Sequence, residues 1–361
     1  MKSAMPKFLS HEFNLQYKIK IPVIQGPMAG GLSLPPLVSA VIKNNCIGFL
    51  AAGYLSAEVL EKQIIEVKHA ANGLFGVNLF MLDNKKAADY KKPEIITKIE
   101  KKLKIPAQKK LNFAVNEEND KKIDIIIKQG VKLVSFTFGL PKEKWIEKLR
   151  NNNIYLVGSC TNIEEAKAVE NIGLDALVVQ GIESGGHRSA FLKMNDEIGL
   201  FSLLQEVSEN IRIPIIAAGG IATGKGILAA RILGATAVQI GTGFLLTRES
   251  SAVGAYKKAL LNSYAHNTIV TEKISGKKAR GICNKFVTEL NSAQMKALPF
   301  PIQNHMTKEI RSLSQKKNKS DYLSLWCGQS VHLIKKELSV EEFLNNLKVE
   351  YLSAANNFSL R

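Results

Sequence analysis

Eight short apolar runs, each followed by a stretch of helical character, constrain this chain more than any other feature of its 361 residues. The runs are IPVIQG (21–26), IGFLAAG (47–53), LFGVNLF (74–80), KLVSFTFG (132–139), IYLVGS (154–159), ALVVQG (176–181), IPIIAAGG (213–220) and AVQIGT (237–242). Each is near-continuously apolar rather than alternating, as strands buried on both faces are. Amphipathic stretches such as residues 57–71, 162–172 and 225–233 lie between them. Eight such alternations predict an α/β fold of the (β/α)8 TIM-barrel type. An open doubly wound sheet usually has fewer strands, and a GxGxxG after its first strand would favour it. The first turn here reads QGPMAGG, which does not fit that spacing.

Two intervals are too long for a plain barrel. An insertion at about residues 82–131 follows the third run. Ten lysines crowd residues 85–110 within it, and an extra surface helix or two is expected there. After the eighth run and a helix near residues 252–263, nearly a hundred residues carry no barrel pattern. They are expected to form a helical cap folding back over the barrel mouth. The division is thus a barrel over residues 1–265 and a C-terminal cap over 266–361. The formal net charge of +17 suits an anionic partner. The lysines have no accompanying arginine-and-aromatic stripe, so nucleic acid is not expected. Cys46, Cys160, Cys283 and Cys327 are far apart and form no zinc spacing. No metal is expected. The stretch MKSAMPKFLSHEFNLQYKIK lacks a signal peptide's apolar core, and no apolar run approaches the roughly 20 residues that cross a bilayer. These features point to the cytoplasm and away from a membrane.

Barrels of this kind carry their chemistry at the C-terminal ends of the strands. Gly219 and Gly220 after the seventh run, and Gly241 and Thr242 after the eighth, match the recurring phosphate site of such barrels. There glycine admits backbone N–H groups to phosphate oxygens, and a following helix N-terminus adds its dipole. Asn78, Gln180 and Gln239 are amides at the strand ends or within a strand. Amides supply both donors and acceptors, which suits the edge of a flat heterocycle such as an isoalloxazine. His187 follows Gln180 by seven residues in GIESGGHRSAF, where Gly185 and Gly186 remove bulk beside it. An imidazole there suits acid–base work or stabilisation of a bound anion. No GxSxG elbow appears. Cys160 has no adjacent base, and Glu183 and Asp83 are too loosely placed for a metal. Glu183 has no evident role.

In this order, QGPMAGG, VNLF, SFTFGLP, QGIESGGHRS, AAGGIATG, AVQIGTGFLLTRES, SGKKARGICNKF, PFPIQN and SLWCGQ closely resemble the nitronate monooxygenases, formerly nitropropane dioxygenases, and their class I branch in particular. The resemblance runs from about Ile21 to Gln329. It implies FMN as cofactor. Met28, Asn78, Gln180, Gly185, Gly220 and residues Gln239, Ile240, Gly241 and Thr242 would hold it, and His187 would be the active-site histidine. It implies O2-dependent oxidation of an alkyl nitronate such as propionate 3-nitronate, through a flavin semiquinone, to a carbonyl product with nitrite or nitrate. The implied partners are that small anion and O2, and a homodimer is compatible with them. Ser189 and Cys327 depart from the pattern, where glycine and alanine are usual, and bear on pocket shape. The alternative is a flavin enoyl-[acyl-carrier-protein] reductase of the same barrel type, which takes hydride from NAD(P)H. SFTFGLP and SLWCGQ argue against it.

Overall fold

A computed structural model of the chain describes residues 7–359, apart from 20, 107–109, 116, 195 and 196. Eight parallel strands form its centre: β1 (Val23–Gln25), β2 (Gly48–Ala51), β3 (Phe75–Phe80), β4 (Leu133–Thr137), β5 (Tyr155–Cys160), β6 (Ala176–Gln180), β7 (Ile215–Ala218) and β8 (Ala237–Ile240). Seven of them fall inside the apolar runs, and β5 extends one residue past its own, to Cys160. The pairing order is β1–β8–β7–β6–β5–β4–β3–β2. The remaining seam closes where Ile24 bridges Ile47 and the Gln25 amide donates to the Ile47 carbonyl at 2.9 Å. The chain is therefore a TIM barrel. Its strands are continuously apolar because the inner face meets the barrel core and the outer face meets helices.

The helices follow from their own sequences. Residues Ala57–Ala70 begin at Ser56, whose Oγ accepts from the Val59 amide. Leu60, Ile64 and Val67 then bury one stripe at helical spacing. The opposite end of the barrel is plugged by aromatic side chains. Phe8 and Phe13 pack on Tyr155, with ring centroids 5.3 and 5.1 Å away.

The insertion departs from expectation. Besides the helix Glu94–Lys102, it forms an antiparallel hairpin of Lys85–Lys91 with Lys110–Val115. The second strand alternates, with Leu111 and Phe113 turned inward and Val115 buried. The first strand is mostly exposed and is held by pairing rather than by burial.

The C-terminal region falls into two parts with different packing. Its middle covers the barrel mouth, partly as strands. Thr268–Thr271 pairs with Ala279–Ile282, which pairs with Gly186–His187 of the loop after β6. The last helix, Val340–Ser359, is no part of that cap. It packs between the helices Gly224–Ile232 and Pro35–Lys43, where the eighth barrel helix belongs. Val340, Phe343, Leu344 and Leu347 are buried in the main core. The cap is thus an insertion between β8 and the helix that completes the barrel. Among the described residues, no helix is long and apolar enough to cross a membrane.

Candidate active site

At the C-terminal ends of the strands lies a cavity of about 280 Å³, far more than the roughly 10–15 Å³ that holds one water. Met28, Asn78, Gln180, Gly185, His187, Gly219, Gly220, Gln239, Ile240, Gly241 and Thr242 all line it. The structure thus gathers every expected site residue at one mouth, although they span more than two hundred positions in sequence.

The glycines after β7 and β8 leave backbone donors free. Gly219 and Gly220 adopt φ of +111° and +69°, a region where a side chain would be strained. The amides of Gly220 and Gly241 make no hydrogen bond among the described residues. A Cβ on Gly241 would meet only the Met28 Sδ, at 3.8 Å. Two unpaired N–H groups on an open glycine surface fit a phosphate group. The helix start behind them does not contribute as expected. The Gly224 amide donates to a Glu350 carboxylate oxygen at 2.8 Å, so the last helix already supplies the anion that caps this N-terminus.

The three amides differ in what they can offer. Asn78 donates from Nδ2 to Ser135 Oγ and Thr137 Oγ1, both at 2.9 Å, which leaves Oδ1 as an acceptor. Gln239 has no side-chain partner among the described residues. Gln180 is mostly engaged. Its Oε1 accepts from Arg188 Nη1 at 3.1 Å and from the Ser189 amide at 2.8 Å, and its Nε2 donates to the His187 carbonyl at 3.1 Å. One acceptor, one free amide and one spare N–H match the alternating edge of an isoalloxazine. Arg188, whose role nothing in the sequence signals, is 1% exposed. Its two Nη groups also reach the Gly181 carbonyl at 2.6 Å and the Gln180 carbonyl at 3.0 Å. It fixes the loop that carries His187.

His187 stands in an aromatic box. Phe138, Phe300 and Trp326 have ring centroids 6.0, 5.3 and 5.5 Å from the imidazole, and the last two come from the cap. Nε2 lies 2.8 Å from Ser275 Oγ, which can donate to the Lys277 carbonyl at 3.1 Å. The serine has one proton to give. Turned to the carbonyl, it accepts from Nε2–H and leaves a lone pair at Nδ1. Turned to Nε2, it leaves Nδ1–H as a donor. Burial, with Lys277 and Arg311 nearby, pushes the imidazole pKa down to about 3. The ring is therefore neutral at physiological pH, unlike the imidazole titrating near neutrality expected from sequence. Because the folded value lies below the ordinary 6.5, the neutral ring stabilises the fold fully above pH 6.5, and that contribution is lost as pH falls towards 3. Acidification from pH 7 to 5 should therefore cost the native protein more denaturant stability than it costs His187→Gln. Equal losses would contradict a neutral ring.

The sequence of this chain matches the family described as nitronate monooxygenase over residues 13–350. The chain belongs to the nitronate monooxygenase family. A probable nitronate monooxygenase of Bacillus subtilis is 38% identical over 342 residues, covering 93% of this chain and 98% of that one. One of Staphylococcus haemolyticus is 38% identical over 336 residues, covering 90% and 91%. Among solved structures, the nitroalkane oxidase of Streptomyces ansochromogenes superposes with a TM-score of 0.84 at 31% identity, covering 95% of this chain and 99% of its own. FabK of Thermotoga maritima gives 0.78 at 26% identity, with 96% and 98% covered. The chain is a flavin-dependent oxidoreductase of this family.

Two further features of this nitronate monooxygenase family member have structural reasons that its sequence conceals. Gly185 gives clearance to a neighbouring stretch of chain. A Cβ there would stand 2.4 Å from the Cys327 carbonyl carbon and the Gly328 nitrogen. That segment, SLWCGQ, is clamped across the mouth. The Gly328 amide donates to Thr242 Oγ1 at 2.9 Å, and the Gln329 amide donates to the Glu183 carbonyl at 3.0 Å. Glu183 also acquires a role. Both its carboxylate oxygens lie 3.0 Å from the Leu200 amide, at the start of the helix Leu200–Asn210, where negative charge is favoured. Cys160 is fully buried, and burial pushes its thiol well above the ordinary range. A thiol that resists ionisation is a poor nucleophile.

Proposed function

We propose that this protein binds FMN and oxidises alkyl nitronates with O2 to a carbonyl product with nitrite or nitrate. The observation that carries the reading is the meeting of unpaired glycine amides, ring-suited side-chain amides and His187 on one cavity roofed by the cap. The Gly220 and Gly241 amides would hold one phosphate. Glu350 seals the helix start beyond them, which favours a mononucleotide over a pyrophosphate. Asn78, Gln239 and the spare N–H of Gln180 would take the ring edge, with Met28 against it. When bound, a flavin would supply the electron acceptor for the substrate and the centre at which O2 is reduced.

The chain's own residues then position the nitronate. A nitronate is already an anion, so no strong base is needed to form it. His187, held by Ser275, presents Nδ1–H to a nitronate oxygen in one tautomer and a lone pair in the other, and carries no charge in either. Phe138, Phe300 and Trp326 exclude water around that contact, which strengthens it. A second reading, reduction of an enoyl thioester by NAD(P)H, draws on the FabK likeness. A substrate panel separates the two. The flavin-loaded protein should consume O2 with an alkyl nitronate and fail to oxidise NADH with a short enoyl thioester. The reverse pattern would replace the first reading by the second.

A further inference from the structure

Arg311 is the one Lys, Arg, Asp or Glu among the described residues lining the cavity. It sits in the cap helix Lys308–Lys316 and is firmly held on one side. Its Nε donates to Thr307 Oγ1 at 3.2 Å, and one Nη donates to the Asn304 carbonyl at 2.6 Å and to Asn304 Oδ1 at 2.9 Å. All these acceptors are neutral. Among the described residues the other Nη has no partner, and no carboxylate lines the cavity. Arg188 provides the contrast within the same molecule: both of its Nη groups are spent on protein oxygens. A guanidinium stays protonated even where burial lowers its pKa, as it does here. A largely desolvated cation without a counter-ion is costly unless an anion arrives to pair with it.

Resting on the nitronate reading above, we propose that Arg311 is the specificity-determining residue that grips the substrate's anion. The guanidinium fork matches a planar O–X–O group. In a nitronate that group is either the O–N–O head or a carboxylate carried on the alkyl chain. The cavity thereby divides the work: Arg311 supplies the charge, and the neutral His187 supplies a directional hydrogen bond.

The test compares flavin-loaded native protein with Arg311→Gln and Arg311→Lys. Two nitronates are used, one with an uncharged alkyl chain and one ending in a carboxylate. Nitrate and propionate binding, read from the flavin spectrum, supply a measurement without turnover. Arg311→Gln should raise KM and the anion Kd roughly 10- to 100-fold, with a smaller change in kcat. Arg311→Lys should recover only part of the loss, because a point charge cannot fork. A KM rise for both nitronates assigns Arg311 to the head, and a rise confined to the carboxylate-bearing one assigns it to the chain. Unchanged KM and anion Kd in a flavin-retaining Arg311→Gln would overturn the proposal. If that variant does not fold, Arg311→Lys carries the test, and native KM and Kd there would overturn it. Native protein that binds nitrate through Arg311 but turns over no nitronate would sink the nitronate reading and leave the anchor standing.

Discussion

Replacing His187 by alanine should leave the flavin in place and cut nitronate turnover by roughly 10²- to 10⁴-fold, the range of a positioned hydrogen-bonding or proton-transfer group. The flavin should stay because its proposed contacts lie elsewhere: the Gly220 and Gly241 amides, Asn78 and Gln239. The backbone at residue 187 pairs with Ala279 in either case, so the ribbon that closes the loop survives. What is lost is the imidazole in a box of Phe138, Phe300 and Trp326. Flavin absorbance after gel filtration and O2 uptake read the two halves separately. An unchanged rate would remove His187 from the mechanism. Loss of flavin would make the residue structural instead.

Deleting the last helix from Val340 onward should abolish folding of the whole barrel, not merely uncover the mouth. Four of its side chains, Val340, Phe343, Leu344 and Leu347, are buried in the main core. At about 1.5–3 kcal/mol each, their removal costs about 6–12 kcal/mol, against a typical domain stability of about 5–15 kcal/mol. The helix also caps its neighbour through Glu350, and the Tyr351 amide stands 2.1 Å from where a Gly224 Cβ would be. Circular dichroism and flavin retention decide the matter. A truncated protein that melts cooperatively near the native temperature would show that the helix is an appendage. A smaller version is Glu350→Ala, which removes one cap and should cost roughly 1 kcal/mol.

The barrel was legible because strands buried on both faces cannot hide their composition, and because the chemistry of such folds collects on one rim. Asn78, Gln239, Gly220 and Gly241 could be named from that alone. What escaped depended on partners remote in sequence. The strand Lys85–Lys91 has almost no apolar pattern, since it exists by pairing with Lys110–Val115. The last helix shows its amphipathic stripe but not which surface it covers. Gly185 declares that space is short without saying that Cys327 and Gly328 fill it. Glu183 reaches a helix start seventeen residues on. The neutrality of His187 arises from burial under the cap and from Lys277 and Arg311, none of which the GGH loop itself encodes.

Anaerobic mixing of the flavin-loaded protein with an alkyl nitronate tests the account most directly. The nitronate alone, without any nicotinamide, should bleach the oxidised flavin's visible absorption, and readmitted O2 should restore it with release of nitrite or nitrate. A flavin that stays oxidised under nitronate but bleaches with NADH would contradict the account.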